Sequence, residues 1–192
     1  MFPLISGVEE FRMARAVLSE AMEELAADKI PFKPDIPVGL MIEVPSAALV
    51  ADLLAREADF FSIGTNDLIQ YALAADRTNP DLAELATPFQ PAIIRLIAAT
   101  CRAAIAHGRS VAVCGEAAAD PDAAALFVGL GVTELSVTPR SIAAVQAGLA
   151  GLDPIAARRA AASAEGASSV AAVREIAAGL RTGERAPTRI AG

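Results

Sequence analysis

The stretch Phe60-Phe61-Ser62-Ile63-Gly64-Thr65-Asn66-Asp67-Leu68-Ile69-Gln70-Tyr71 restricts the fold more than any other part of the chain. An apolar run stops at a glycine, a short polar cluster follows, and a helical pattern opens at once. A buried parallel strand feeding a helix reads in this way, and it delivers Asn66 and Asp67 to the carboxyl end of the strand. In parallel α/β folds that end is where ligands bind. A carboxamide and a carboxylate there suit a magnesium ion and a phosphorylated anion. The same two residues also suit the cap of the next helix, and this stretch alone does not choose between the two roles.

The rest of the chain repeats the pattern. Met1-Phe2-Pro3-Leu4-Ile5 is a short apolar run closed by Ser6-Gly7, with Pro3 arguing against a central antiparallel strand. Ser6 followed by Glu9 matches a capping box. Phe11, Ala14, Val17, Leu18, Met22 and Leu25 recur at helical spacing and predict one buried helix face. Ile30 to Pro37 carries three prolines and reads as a connector. Val38-Gly39-Leu40-Met41-Ile42-Glu43 is the next strand, apolar without alternation as if both faces were covered, and Pro45-Ser46 opens a helix reaching Glu57. The strand at Phe60 is followed by a helix over Leu68 to Ala75, a polar turn at 76–80 and a helix over Ala92 to Ala106. Val111 to Glu116 is a fourth strand. Asp120-Pro121 is an N-cap with proline at the first helical position, opening a helix to Leu130. Glu134 to Val137 is the last strand, and Pro139 begins another helix. Helices are predicted over 154–164 and 169–180.

Five strands, each followed by helix, predict a parallel sheet with right-handed crossovers. An open doubly wound sheet and five-eighths of a (β/α)₈ barrel both fit this order, and the pattern does not separate them. The 192 residues are enough for one domain with a sizeable core. The chain is 54% hydrophobic but only 4% aromatic, so that core is built from Ala, Val, Ile and Leu. Its formal net charge of −7 disfavours nucleic acid and anionic membranes as partners. Cys101 and Cys114 make no disulfide framework and point to a cytoplasmic protein. No apolar run reaches membrane length, and the start lacks the basic region of a signal peptide. Because Met1 to Ile5 already reads as a strand, Met1 need not be a natural start.

Four strand ends carry polar groups: Glu43, Asn66 with Asp67, Cys114 with Glu116, and Ser136 to Arg140, with Arg77 in the loop region after the third strand. Two carboxylates on neighbouring strands can hold one divalent metal through oxygen. An arginine can fork onto phosphate, and a nearby thiol can move a proton. Together these groups suit chemistry on a phosphorylated enol. Cys101, beside Leu96 and Ile97 at helical spacing, reads as core, and His107 reads as a surface cap at a helix end.

The chain resembles the C-terminal, phosphoenolpyruvate-binding domain of enzyme I of the bacterial phosphotransferase system, the phosphoenolpyruvate–protein phosphotransferases. The stretches that carry the resemblance are M-F-P-L-I-S at the start, G-L-M-I-E-V-P at Gly39 to Pro45, D-F-F-S-I-G-T-N-D-L-I-Q-Y-A-L-A-A-D-R-T-N from Asp59 to Asn79, V-C-G-E from Val113 and E-L-S-V from Glu134. Val44, where threonine is common, and Thr87 to Pro91 depart from the pattern.

The resemblance implies an α/β TIM barrel of the (β/α)8 class, of which about the last five βα units are present. Residues 1–150 would be the C-terminal part of that barrel and 151–192 the helices and tail of the same domain. It implies Mg2+ as cofactor with Glu43 and Asp67 as metal ligands. Asn66, Asp67 and Arg77 would be substrate contacts, and Cys114 the catalytic acid that protonates the enolate carbon. It further implies transfer of the phosphoryl group of phosphoenolpyruvate to a protein histidine with release of pyruvate. A phosphocarrier protein would be met through domains N-terminal to this stretch, and a homodimer is expected. A fragment of pyruvate phosphate dikinase or phosphoenolpyruvate synthase, a magnesium-dependent aldolase or lyase, and a non-catalytic dimerisation module stand as alternative readings. The Q-Y-A-L-A-A-D-R-T-N wording favours enzyme I over the first of these, and Cys114 with Arg77 counts against the aldolase.

Overall fold

A computed structural model describes residues 1–182, apart from 77, 78 and 83. Helix α1 (Val8–Ala27) leads to β1 (Leu40–Ile42), the short helices α2 (Pro45–Leu49) and α3 (Ala51–Leu54), and β2 (Phe60–Gly64). Then come α4 (Thr65–Leu73), α5 (Pro91–Ala106), β3 (Ser110–Cys114), α6 (Pro121–Leu130) and β4 (Glu134–Leu135). The chain closes with α7 (Pro139–Leu149), α8 (Pro154–Glu165) and α9 (Val170–Thr182).

The described sheet has four parallel strands in the sequential order β1-β2-β3-β4. Burial separates its two faces. Leu40, Ile42, Phe61, Ile63, Val111 and Val113 are all at most 1% exposed and form the core with the helices. On the other face Ser62 and Gly64 at the middle of the sheet are buried, Met41, Phe60, Ala112 and Cys114 are half-buried, and Ser110, Glu134 and Ser136 are exposed. Sequential order with helices over one face is the barrel-type arrangement; a doubly wound sheet reverses its strand order and is covered on both faces. The covered face therefore settles the choice that the strand pattern left open. The expectation of strands covered on both sides holds for Ser62 and Gly64 of β2 and not for Met41, Ala112 and Cys114 beside them.

The expected strand at Met1 to Ile5 is reduced to a single bridge, Phe2 to Leu40. Phe2 donates to Gly39 and accepts from Met41, but Pro3 has no N–H to continue the ladder. Leu4 then turns into the left-handed region at φ 53°, and its N–H goes to the Glu43 carboxylate instead of to a strand. At the start of α1 the cap also differs from expectation. Glu10, not Glu9, reaches back to both the N–H and hydroxyl of Ser6, at 2.7 Å each. Of the predicted α1 face only Phe11 is fully buried, edge-on to Phe2, while Val17 is 64% exposed. The helix expected over 45–57 is broken at Val50, whose ψ of 22° lies outside the helical range.

Other expectations hold. Asp120 caps α6 by accepting from the N–H groups of Asp122 and Ala123, with Pro121 at the first helical position. Helices α8 and α9 pack on α6, on the helical side of the sheet, through the small residues Ala157, Ala160, Ala161, Ala164 and Ala177. Among the described residues no helix is long and apolar enough to cross a membrane.

Candidate functional site

The register places the carboxyl ends of three strands level with one another. Ile42 lies opposite Ile63, and Gly64 opposite Cys114. Glu43, the residue after Ile42, therefore falls in one row with Gly64 and Cys114. The pleat directs all three to the uncovered face of the sheet.

Glu43 is 3% exposed and is held by the Leu4 N–H, which donates to Oε1 at 2.7 Å. The other carboxylate oxygen occupies the space that Gly64 leaves empty. A Cβ at Gly64 would lie 2.7 Å from Oε2 and 2.9 Å from the Met41 sulfur. Burial pushes the Glu43 carboxyl above its ordinary value, against the lowering effect of the Leu4 N–H. The Asp67 carboxyl, which shares a hydrogen bond with Glu43, pushes it further the same way. Asp67 sits in the first turn of α4, where the amide groups of the helix end favour negative charge.

An almost buried carboxyl group that feels the charge of a second one fits a hard divalent cation. The cation would relieve both the burial of Glu43 and the repulsion between the pair. Among the described residues no group of three or more His, Cys, Asp or Glu side chains is placed to hold a metal ion by itself. A metal at this point would therefore rely on the pair together with water and ligand oxygens, which is the habit of magnesium.

Thr65 and Asn66 tie the end of β2 to the end of β3. The buried Thr65 hydroxyl donates to the Cys114 carbonyl at 2.7 Å, and Asn66 Oδ1 accepts from the Glu116 N–H at 3.2 Å. Between these two contacts the chain turns at Gly115, φ 94°, where a Cβ would lie 2.5 Å from the Thr65 hydroxyl and 2.9 Å from Asn66 Oδ1. Neither the conformation nor the space admits a side chain. The Cys114 thiol faces the uncovered side, donating to the Ile63 carbonyl at 3.4 Å and accepting from the Ser62 hydroxyl at 3.7 Å. It opens onto a concavity of about 840 Å³ lined by Ser62, Ser110, Ala112 and Ser136 among others.

The structure thus gathers Glu43, Asp67, Asn66 and Cys114 at one end of the sheet. Arg77 lies outside the described residues. Cys101 is buried in the core, and burial pushes its thiol up to about 12. His107 is exposed and caps α5, at the amino end of β3 and so away from the gathered groups. Sequence reasoning missed Leu4, Ser62, Gly64, Thr65 and Gly115, which hold or make room for the others. The alternation in Phe-Phe-Ser-Ile-Gly and Ser-Val-Ala-Val-Cys carried that information. Ser62, Gly64, Ala112 and Cys114 share one parity, with Phe60 the bulky exception at the strand's start, and Phe61, Ile63, Val111 and Val113 share the other.

A parallel βα sheet in sequential order defines a barrel-type α/β domain, and the acid pair and thiol make a candidate site at the end where such folds bind ligands. Comparison with known proteins narrows this. Residues 1–153 match the family model described as PEP-utilising enzyme, PEP-binding domain, and the chain belongs to that family. It is 52% identical over 151 residues to a multiphosphoryl transfer protein of Xanthomonas campestris pv. campestris, covering 79% of this chain and 17% of that protein. It is 49% identical over 142 residues to phosphoenolpyruvate-protein phosphotransferases of Priestia megaterium and Bacillus subtilis, covering 74% of this chain and 25% of each. The chain spans a quarter or less of the length of these relatives.

Proposed function

We propose that this chain is the metal- and phosphoenolpyruvate-binding portion of a phosphotransferase that passes the phosphoryl group of phosphoenolpyruvate to a protein histidine and releases pyruvate. The observation that carries the reading is the Glu43–Asp67 carboxyl pair, its Glu43 member in the same strand-end row as the Cys114 thiol, in a chain of the PEP-binding family. Magnesium held by Glu43 and Asp67, when bound, supplies positive charge against the phosphoryl oxygens.

The chain's own groups have separate tasks. Leu4 N–H and the gap at Gly64 fix the Glu43 carboxylate before any ligand arrives. Asn66 stands next to Asp67 at the head of α4, where its amide meets the ligand's edge. Arg77 neutralises phosphoryl charge as a clamp. Cys114 gives its proton to the enolate carbon once the phosphoryl group has left. The acceptor histidine comes from outside this stretch, because His107 lies at the other end of the sheet.

In this proposal the sheet and helices up to 150 are the C-terminal five units of a (β/α)₈ barrel, and 151–192 are helices and tail of the same domain. The protein works in the cytoplasm as a homodimer and meets a phosphocarrier protein through other domains. Isothermal calorimetry tests the site. The 192-residue chain should bind magnesium together with phosphoenolpyruvate, and Glu43→Ala and Asp67→Asn should each lower that affinity by at least about tenfold. Undiminished binding in Glu43→Ala removes Glu43 from the site and the reading with it.

A further inference from the structure

We infer that Ser62 is a positioning residue for the Cys114 thiol, holding it toward the enolate and keeping a donor on sulfur after the proton has left. The inference rests on the reading of Cys114 as the acid and extends it. Ser62 is 4% exposed, and its hydroxyl donates to Cys114 Sγ at 3.7 Å, an ordinary contact for the larger sulfur atom. The thiol in turn donates to the Ile63 carbonyl at 3.4 Å. The donors therefore run in one direction, from serine to sulfur to backbone. The register fixes this arrangement, because Ser62 lies opposite Ala112 and next in line to the Gly64–Cys114 pair on the same face.

The direction of the chain matters for the reaction. When the thiol proton passes to the enolate carbon, a C–H bond forms and the S–H electron pair stays on sulfur. The Ile63 carbonyl can offer that thiolate nothing, since it only accepts. The Ser62 hydroxyl remains as a donor, and a hydrogen bond to an ionised partner is about twice as strong as one between neutral groups. The hydroxyl then passes its proton to sulfur and regains one from water in the concavity that Ser62 and Cys114 both line. One solvent proton is consumed for each enolate protonated. Without the hydroxyl, sulfur is a poorer leaving site for the proton and is recharged more slowly.

The test is the pH profile of Cys114 alkylation by iodoacetamide in the intact chain. Cys101 is silent there, being fully buried with its thiol pushed up to about 12. Ser62→Ala should move the midpoint of the profile up by about one pH unit, and so slow alkylation about tenfold below it. Ser62→Thr, which keeps the hydroxyl, should restore the wild-type midpoint. A protein that merely needs a small buried residue at this place would not separate these two variants. If Ser62→Ala does not fold, Ser62→Gly removes the same hydroxyl and carries the same expectation. A midpoint unmoved in a folded hydroxyl-free variant, or unrestored by threonine, overturns the inference. The profile needs neither magnesium nor phosphoenolpyruvate. A serine-dependent midpoint in a chain that fails the calorimetric test would leave this contact standing and the functional reading refuted.

Discussion

Replacing Gly64 with alanine should damage the site before it damages the fold. The added Cβ would lie 2.7 Å from Glu43 Oε2, 2.9 Å from the Met41 sulfur and 3.1 Å from the Glu43 Cβ. Bringing the oxygen back to ordinary contact needs a retreat of roughly 0.7 Å. The carboxylate cannot make that retreat freely, because its other oxygen is held by the Leu4 N–H at 2.7 Å. Gly64 has φ −84° and ψ 87°, so no left-handed strain confuses the result. Overpacking costs about 1–3 kcal/mol, and the weakened bond to Leu4 falls within the same range. Alanine recovers about 0.4–1 kcal/mol by stiffening the unfolded chain.

The net loss should be about 1–2 kcal/mol, read by urea denaturation, which for a domain of this size lowers the melting temperature by roughly 2–8 °C. The loss of magnesium-dependent ligand affinity should be larger, on the order of a hundredfold, because a displaced ligating group loses geometry as well as contact. Gly166→Ala is the control. Its methyl meets nothing closer than 3.5 Å and its backbone is helical, so that variant should be neutral or slightly stabilised. Unchanged affinity in a stably folded Gly64→Ala protein would show that the carboxylate does not depend on the gap, and would refute the reasoning.

Two further substitutions probe other parts of the argument. Burial lifts the native Glu43 pKa above its unfolded value. Its contribution to stability is therefore present below the ordinary 4.5 and is lost as pH rises through the native pKa. Glu43→Gln should accordingly be more stable than wild type at neutral pH without metal, with the advantage fading as pH falls toward 4.5; denaturation across that range checks it. Arg174 on α9 stacks 4.4 Å over the Phe89 ring and donates to the buried Thr87 hydroxyl at 3.1 Å. Arg174→Ala should cost about 1–2 kcal/mol in urea denaturation, with Arg174→Lys recovering only part.

Legibility in the sequence followed the locality of the cause. The cap at Asp120, the helix from Pro91 and the strand at Phe60 depend on residues within a few positions, and all were readable. The fate of Met1 to Ile5 was not, because it hangs on a hydrogen bond from Leu4 to a carboxylate 39 residues away. Glu10 rather than Glu9 serves Ser6 because the helix begins one residue later than the capping box assumed, at Val8. The α1 periodicity was real, yet periodicity names a face without naming what covers it. Val17 is exposed for want of a neighbour among the described residues, not for want of apolar character. The sheet faces are the instructive miss. Because β2 carries apolar residues on either side of Ser62, it read as uniformly apolar, and the parity of its small residues went unused. Those small residues are what leave the uncovered face open.

Strand register is what brings the groups of the candidate site together. Glu43 and Cys114 lie two strand spacings apart, about 10 Å between backbones, with only the hydrogen of Gly64 between them. A slip of β2 by one residue would turn every side chain to the other face. Ile63 would then fill that gap, and Phe61 would leave the core for the concavity. Phe61 and Ile63 are now at most 1% exposed, and exposing each would cost about 1.5–3 kcal/mol. The same slip would bury Ser62 among Leu40, Val111 and Val113, away from the sulfur it now contacts. The penalty against the wrong register is thus set by side chains that never meet a ligand. The small residues opposite them are free to be chosen for the space they leave. The carboxylate, the gap and the thiol hold their spacing because large residues on the far face of the same strands would otherwise be exposed to water.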